Sequence, residues 1–391
     1  MNETESSGRV IGLDLHPDVF SAAALVGRDA GKARVAQQWG MVPTAQLECW
    51  AKQLQPGDVV VIEASGNTFE CARSLRKLGI KTAILESQRA GQVRTAYCAN
   101  DRTDAVKLAR VYLSGLAKLV WEPDETTRER REVLHRYRVA VTDATRARNR
   151  IKSFLSDHRV RLRPGVRLTQ RSGQAKVMQA NDWTERQRLL LEEMLGQLEE
   201  AESRRNRLTS LIAREVVQDP QLLKLLRLLG VRHIIAYAAG AVIGEVTRFS
   251  NPKKLVAYLG LTPRTETSGL TIRGAQGLAH CGRRDLRSLL VQAAQNALMQ
   301  RNSPLHKWGW KLCLRKAHKN VAVAAIARKL AVAIWYAMRG LILAPQKLEQ
   351  SLRVKLQKVA SCIHRETLRD WGYASNKAWI EEKLTVLLDP T

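Results

Sequence analysis

The chain is short of acid, of clustered cysteine and of any long uninterrupted apolar run. Against 64 lysines and arginines it sets only 37 aspartates and glutamates, a formal charge of +27 over 391 residues. That imbalance exceeds what solubility requires and predicts a polyanionic partner, nucleic acid first. The six cysteines (Cys49, Cys71, Cys98, Cys281, Cys313, Cys362) form no Cys-x-x-Cys pair and no Cys/His cluster. This argues against a disulfide framework and a zinc site, and it fits a reducing cytoplasm. The polar amino terminus lacks the pattern of a signal peptide, and the apolar stretch at 321–338 is broken by Arg328-Lys329. A membrane partner is therefore not expected.

The acids that are present occupy telling positions. The run Arg9-Val-Ile-Gly-Leu-Asp14 has strand length and precedes a turn-like His16-Pro17-Asp18, so Asp14 falls at a strand end. Val59-Val-Val-Ile-Glu63 is an almost continuous β-branched run ahead of Ala64-Ser65-Gly66-Asn67, which reads as a strand buried on both faces. Glu63 then projects beside Asp14 if the two strands are neighbours. Asp101 and Asp104 open a helix-like segment reaching Tyr112, and a three-residue step puts both on one helix face. Singly, each acid also reads as a turn former or N-cap, and Asp18, Asp58 and Glu86 sit in comparable places. Jointly, the four suggest carboxylates binding Mg²⁺ or Mn²⁺ for work on phosphodiesters, where a metal neutralises charge on the phosphate oxygens.

Four regions follow from the change of pattern along the chain. Residues 1–120 alternate strand-like and helical runs, an α/β domain opening on a hairpin. Residues 121–215 carry Leu134, Tyr137, Val141, Ala144, Ile151 and Leu155 at heptad-like spacing. A second stripe there holds Trp183, Leu190, Met194, Leu198, Ala201, Leu208 and Leu211. Two helices in an antiparallel hairpin or a dimerising arm are expected, with 159–174 as a basic loop between them. Few acids interleave in that loop, so Arg159, Arg161, Arg163, Arg167 and Arg171 read as phosphate contacts. Residues 216–345 are Ala- and Leu-rich and read as an all-α domain, and 346–391 as a helical extension for which the residues suggest no function beyond capping the core.

Within the third region, residues 264–284 are rich in glycine, poor in helix formers, and contain Arg264, Arg273, Arg283 and Arg284 around Ser268-Gly269. The expectation is a loop. A serine hydroxyl can attack a phosphodiester where cations neutralise the phosphate and a neighbour accepts the proton. An ST-turn is the plainer reading of the same serine. His280 is the one histidine in the segment that could accept such a proton.

Taken in order, several short blocks carry a family resemblance. They are Ile11-Gly-Leu-Asp14, Ile62-Glu-Ala-Ser-Gly66, Asp101-Arg-Thr-Asp-Ala105, Arg248-Phe249, Ala257-Tyr-Leu-Gly-Leu-Thr-Pro-Arg264, Ser268-Gly269, Arg273-Gly274 and Gly282-Arg-Arg-Asp-Leu-Arg287. Over about residues 8–345 the chain resembles the DEDD-type transposases of insertion-sequence family one-ten, relatives of the Piv DNA invertases. The resemblance implies a RuvC-like, ribonuclease-H-like α/β domain, a coiled-coil arm for oligomerisation and a mostly helical transposase domain. It implies Asp14, Glu63, Asp101 and Asp104 as metal ligands and Ser268 as the nucleophile of a covalent phosphoserine link to DNA. The partners it implies are donor and target DNA, a structured noncoding guide RNA (the bridge RNA), and further copies of the chain, as a dimer and as a tetramer on DNA, in the nucleoid of a bacterial cytoplasm. The chain departs from the family pattern at Leu229-Gly-Val-Arg232, where relatives carry Pro-Gly-Ile-Gly, at Ala99-Asn100, where a lysine is usual, and in the tail beyond 345. A metal-dependent junction resolvase with a structural Ser268, and a noncatalytic nucleic-acid-binding protein, are the alternative readings.

Overall fold

The computed structural model describes residues 8–86, 101–116, 118–263, 266–268, 271–273, 277–279, 281–301, 303–316, 318–341 and 349–388; of 101–103, 266–268 and 271–273 it describes the backbone alone. The chain forms two compact units, Met1–Glu122 and Pro123–Thr391. The first is a mixed α/β sheet with helices, and the second is mostly helical.

In the first unit β1 (Val10–Leu15), β2 (Val19–Val26) and β3 (Arg34–Pro43) precede α1 (Leu47–Ala51), β4 (Val59–Glu63), α2 (Thr68–Lys77), β5 (Lys81–Leu85) and α3 (Asp101–Leu113). The strands make one sheet in the order β3-β2-β1-β4-β5. The first three are antiparallel, joined by short turns, whereas β4 and β5 lie parallel to β1 and are reached through helical crossovers, as parallel pairing requires. Strand alternation divides the core into two layers. Ile11, Leu13, Val60 and Ile62 pack with Trp50 and Leu75 on one face; Val10, Val61 and Leu85 pack against Ala105, Leu108 and Ala109 of α3 on the other.

The second unit opens with α4 (Glu125–Asp157), whose N-cap Asp124 accepts the Thr127 N–H. α5 (Arg171–Met178) and α6 (Glu185–Gln218) follow, α6 starting on a capping box of Thr184 and Gln187. α4 and α6 are antiparallel partners within one chain: Arg130 meets Asp219 at 2.7 Å near one end, while Arg150 donates to Gln197 at 2.8 Å and Arg148 pairs with Glu202 near the other. The expected stripe on α6 is displaced by one residue at its start. Leu190 is 55% exposed, and Leu191 and Leu195 take the seam instead. Three consecutive leucines, 189 to 191, leave the choice to packing. The basic loop is likewise shorter than expected, because α5 begins at Arg171. Ser172-Gly173 is no turn there: Gly173 lies in the helix, and a Cβ on it would collide with the Arg167 carbonyl.

The remaining helices are α7 (Pro220–Leu225), α8 (His233–Ile243), α9 (Pro252–Tyr258), α10 (Arg284–Met299), α11 (Pro304–Lys316), α12 (Lys319–Met338), α13 (Glu349–Ile363), α14 (Arg365–Asp370) and α15 (Asn376–Leu388). Between α9 and α10 lies a small antiparallel hairpin, β6 (Glu266–Ser268) with β7 (Thr271–Arg273). One core cluster runs from Leu134 of α4 and Val216 of α6 through α8, α10 and α12 to Trp379 and Leu387 of α15. α12 is long and apolar enough to cross a membrane, but more than half of its apolar window is packed inside this core. The carboxy-terminal helices are part of the same core. Trp379 is fully buried, and the Lys355 ammonium of α13 donates to the carbonyls of Leu226 (2.6 Å) and Leu228 (2.7 Å). Those carbonyls adjoin the Leu229–Arg232 departure, where Val231 is buried and Gly230 adopts φ +77°; the turn is packed into the core.

The same region holds His233 buried at the start of α8. Burial, then the charges of Lys358 and Arg232, push its pKa down from 6.5 to about 4. The unfolded chain therefore takes up this proton first, and stability is lost as pH falls through the window between those values. The expected contribution at pH 5 relative to pH 7 is a loss of ~2 kcal/mol. Urea unfolding of the protein and of His233→Leu at both pH values checks this: the wild type should lose more stability than the variant by about that amount, and equal losses would refute it.

Candidate functional site

The parallel register pairs Leu13 of β1 with Ile62 of β4. Asp14 and Glu63 directly follow that last pair, on neighbouring strands. Alternation puts both on the face that carries Val10 and Val61, the face covered by α3. Both border a cavity of about 690 Å³ whose rim includes His16, Ser65 and Asn67. The Asp14 side chain is 14% exposed, with His16 Nε2 3.7 Å from its Oδ2. Hydrogen bonds hold the rim. Thr68, fully buried, donates to the Glu63 carbonyl (2.6 Å) and accepts from the Ser65 N–H (2.9 Å), while Asn67 Nδ2 donates to the His16 carbonyl (3.3 Å).

Asp58, comparable by sequence position, is different in kind. Its carboxylate is taken up by the Arg9 backbone N–H (3.1 Å), the Arg9 guanidinium (2.7 Å) and the Gln55 N–H (2.8 Å). It is a structural acid. Asp104 is buried in the first turns of α3 and pairs with Lys107 Nζ at 3.0 Å. For Asp101 only the helical backbone is described; its side chain lies outside the described residues, as do Ala99-Asn100.

Gly12 explains how α3 comes so close. It lies two residues before Asp14 on the same face, and a Cβ there would collide with the Ala105 carbonyl oxygen, one residue beyond Asp104. A glycine inside a strand was the available sign of such a backbone approach, and reasoning from the acids alone passed over it.

Among the described residues no group of three or more His, Cys, Asp and Glu stands ready for a metal ion. Asp14 and Glu63 nonetheless fit a hard divalent cation in donor chemistry, since Mg²⁺ is commonly held by one or two carboxylates together with water and substrate phosphate.

The serine segment is a hairpin and not the loop expected. Ser268 ends β6 and pairs with Thr271 of β7. A glycine-rich stretch without helix formers does not advertise strand pairing; a bridge between Pro263 and Leu278 closes the hairpin foot. The foot is tightly built. Arg287 Nη1 donates to the carbonyls of Ala279 (2.8 Å), Gly260 (3.2 Å) and Cys281 (3.2 Å), and a Cβ on Gly282 (φ +99°) would press on the Gly260 backbone. The Ser268 and Arg273 side chains, and Arg264 and His280 altogether, lie outside the described residues.

The other candidate arginines divide into two kinds. Arg159, Arg161, Arg163, Arg167 and Arg171 are all exposed on the segment between α4 and α6, as is Arg284. Arg283 is half-buried and bound to Asp285 at 2.7 Å; although burial opposes its charge, the bonds to Asp285 and the neighbouring Tyr258 hold its pKa above the usual value. Arg130 and Arg148 of α4 hold the helix hairpin together and are structural cations.

Residues 223–308, which span the serine hairpin, match the family described as Transposase IS116/IS110/IS902 family. The chain is similar to a "Probable family 20 transposase" of Pseudomonas aeruginosa, 27% identical over 83% of this chain and 95% of that protein. It is similar also to the "Transposase for insertion sequence element IS1111A" of Coxiella burnetii, 25% identical over 84% and 88% respectively. A shorter stretch, 23% of this chain, is 32% identical to 28% of the "Pilin gene-inverting protein" of Moraxella lacunata. These matches support a class, the transposases and related recombinases that act on DNA. Within that class, the likeness over residues 223–308 is to the IS116/IS110/IS902 transposases.

Replacing Gly12 by alanine should push α3 off the sheet at the level of Asp104. Overpacking of this kind typically costs 1–3 kcal/mol, so the expected outcome is a fall in stability of ~2 kcal/mol, read as a lower thermal midpoint. A midpoint equal to wild type would remove the close approach from the account.

Proposed function

We propose that the protein is a guide-RNA-directed DNA recombinase of an insertion sequence, cutting and rejoining strands through a phosphoserine intermediate on Ser268. The observation that carries the reading is the placement of Asp14 and Glu63, at the ends of two neighbouring parallel strands, on the rim of one cavity, in a chain whose later residues match a transposase family. The strand order β3-β2-β1-β4-β5, with three antiparallel strands followed by two parallel ones, supports a RuvC-like assignment for the first unit.

In this reading Asp14, Glu63, Asp101 and Asp104 hold Mg²⁺ or Mn²⁺, which when bound supplies positive charge beside the scissile phosphate. The Ser268 oxygen bonds to phosphorus as the bond from phosphorus to one deoxyribose oxygen breaks. The serine proton passes to a nearby base, and the departing oxygen is protonated. Attack by a strand-end hydroxyl then reverses the exchange and releases the serine, so that strands are rejoined without hydrolysis. The exposed arginines between α4 and α6 and the overall charge of +27 suit simultaneous contact with RNA and DNA. A gene-inverting relative supports rejoining, and not cutting alone, as the outcome. Self-association through the helical arm completes the proposal.

Denaturing electrophoresis of the protein incubated with Mg²⁺, the DNA ends of its element and co-purified RNA tests it. A covalent protein-DNA species should form, vanish in Ser268→Ala, and fall by at least about a hundredfold in Asp14→Asn or Glu63→Gln, the scale seen when one electrostatic contributor to such a reaction is removed. Full strand cleavage by Ser268→Ala would instead establish a metal-dependent resolvase in which the serine is structural.

A further inference from the structure

The helical unit contains a groove of about 400 Å³ along α4, lined by Arg131, His135, Arg138, Thr142 and Arg146 and bounded by Asp285 in the first turn of α10. Those α4 positions recur at three- and four-residue steps and share one face of the helix. Two of the cations in it, Arg138 and Arg146, are not spent on the fold in the way their neighbours are. Arg130 is engaged by Asp219, Arg148 by Glu202 and Arg136 by Glu132, whereas neither Arg138 nor Arg146 forms an ion pair among the described residues. Two acids face the groove, Asp143 and Asp285. The second is already bound by Arg283 at 2.7 Å. Arg131, whose guanidinium donates to the Ala241 carbonyl at 2.8 Å, has its pKa lowered by burial and then by the adjacent positive charge of Arg283, with a smaller effect from Arg248. The groove thus concentrates more positive charge than its two acids neutralise.

Its position gives that charge a direction. Arg283 donates its backbone N–H to the Tyr258 carbonyl (3.1 Å), and Arg287, one turn further along α10, holds the carbonyls of Gly260, Ala279 and Cys281. The start of α10, which bounds the groove at Asp285, is thus hydrogen-bonded to the foot of the Ser268 hairpin. Arg138 and Arg146 are eight residues apart, about 12 Å along a helix, the axial rise of roughly three to four nucleotides of one DNA strand.

We propose that this groove seats the phosphate backbone of the DNA whose strand is presented to Ser268, with Arg138 and Arg146 as its principal contacts. The choice of DNA over RNA rests on the recombinase reading, through the continuity of the groove with the serine hairpin; the existence of a phosphate site rests on the arginines alone.

The test uses the full chain carrying Ser268→Ala, so that binding is measured without chemistry and stands whether or not the serine is the nucleophile. Fluorescence anisotropy with a mixed-sequence DNA duplex of roughly 20 base pairs, between about 50 and 200 mM salt, reads affinity and its salt dependence. Adding Arg138→Gln and Arg146→Gln together should weaken binding at least about tenfold at 100 mM salt. It should also reduce the slope of log affinity against log salt by about 2, near 0.9 for each phosphate that is no longer neutralised. Arg138→Lys with Arg146→Lys should keep the slope, which separates removal of charge from damage to the fold, and Arg136→Gln should change neither quantity. An unchanged slope in the double glutamine variant overturns the proposal. So does a weakening confined to a single-stranded RNA probe of the same sequence, which would make RNA the occupant.

Discussion

The pairing of β1 with β4 is the constraint on which the acid site depends. Side chains on adjacent parallel strands share a face only when their registers agree, and a slip of one residue would turn Asp14 and Glu63 to opposite sides of the sheet. The apolar residues prevent that slip. Ile11 and Leu13 with Val60 and Ile62 bury one face, and Val10 with Val61 the other, so any shifted register would expose or bury the wrong set. The acids at the strand ends are carried to one cavity by the same alternation that builds the core. Gly12 adds the second half of the arrangement by letting the α3 backbone rest directly on the sheet near Asp104.

In the second unit, positive charge is divided between structure and surface by geometry. Arginines that face α6 meet Glu202, Glu215 or Asp219 and stitch the two long helices together; on other faces of α4, Arg131 and Arg136 are engaged by the Ala241 carbonyl and by Glu132, while the arginines at 159–171 are exposed. Some of the unit's acids are placed against cations at the seam of the two helices. The serine hairpin is treated the same way. Its foot is fastened by Arg287, by the Pro263–Leu278 bridge and by the close contact of Gly260 with Gly282. The carboxy-terminal helices complete this unit by covering its core with Trp379 and by satisfying the Leu226 and Leu228 carbonyls through Lys355.

Much of this was legible in the residues. The runs Val10–Leu15 and Val59–Glu63 are strands with the limits their composition suggests, because a β-branched run between turn formers has few other options. The long helices of the arm were legible for a similar reason, since a three-four apolar spacing sustained over many turns suits no other element. The α6 seam was not, as Leu189-Leu190-Leu191 offers three equivalent phases and only the partner helix selects one. Nor was the β6–β7 hairpin, whose three-residue strands are too short to stand out among the surrounding glycines.

Among the candidate site residues, the sequence by itself determined which carboxylates end strands and which serine sits among glycines and arginines, because those facts depend on local pattern alone. The tertiary structure decided that Asp14 and Glu63 share a cavity while Asp58 is consumed by Arg9 and Gln55. It also decided that Arg138 and Arg146 lie open in a groove while Arg130 and Arg148 are bound. A residue's identity sets what chemistry it can perform, but whether it is free to perform it depends on neighbours that are distant in sequence.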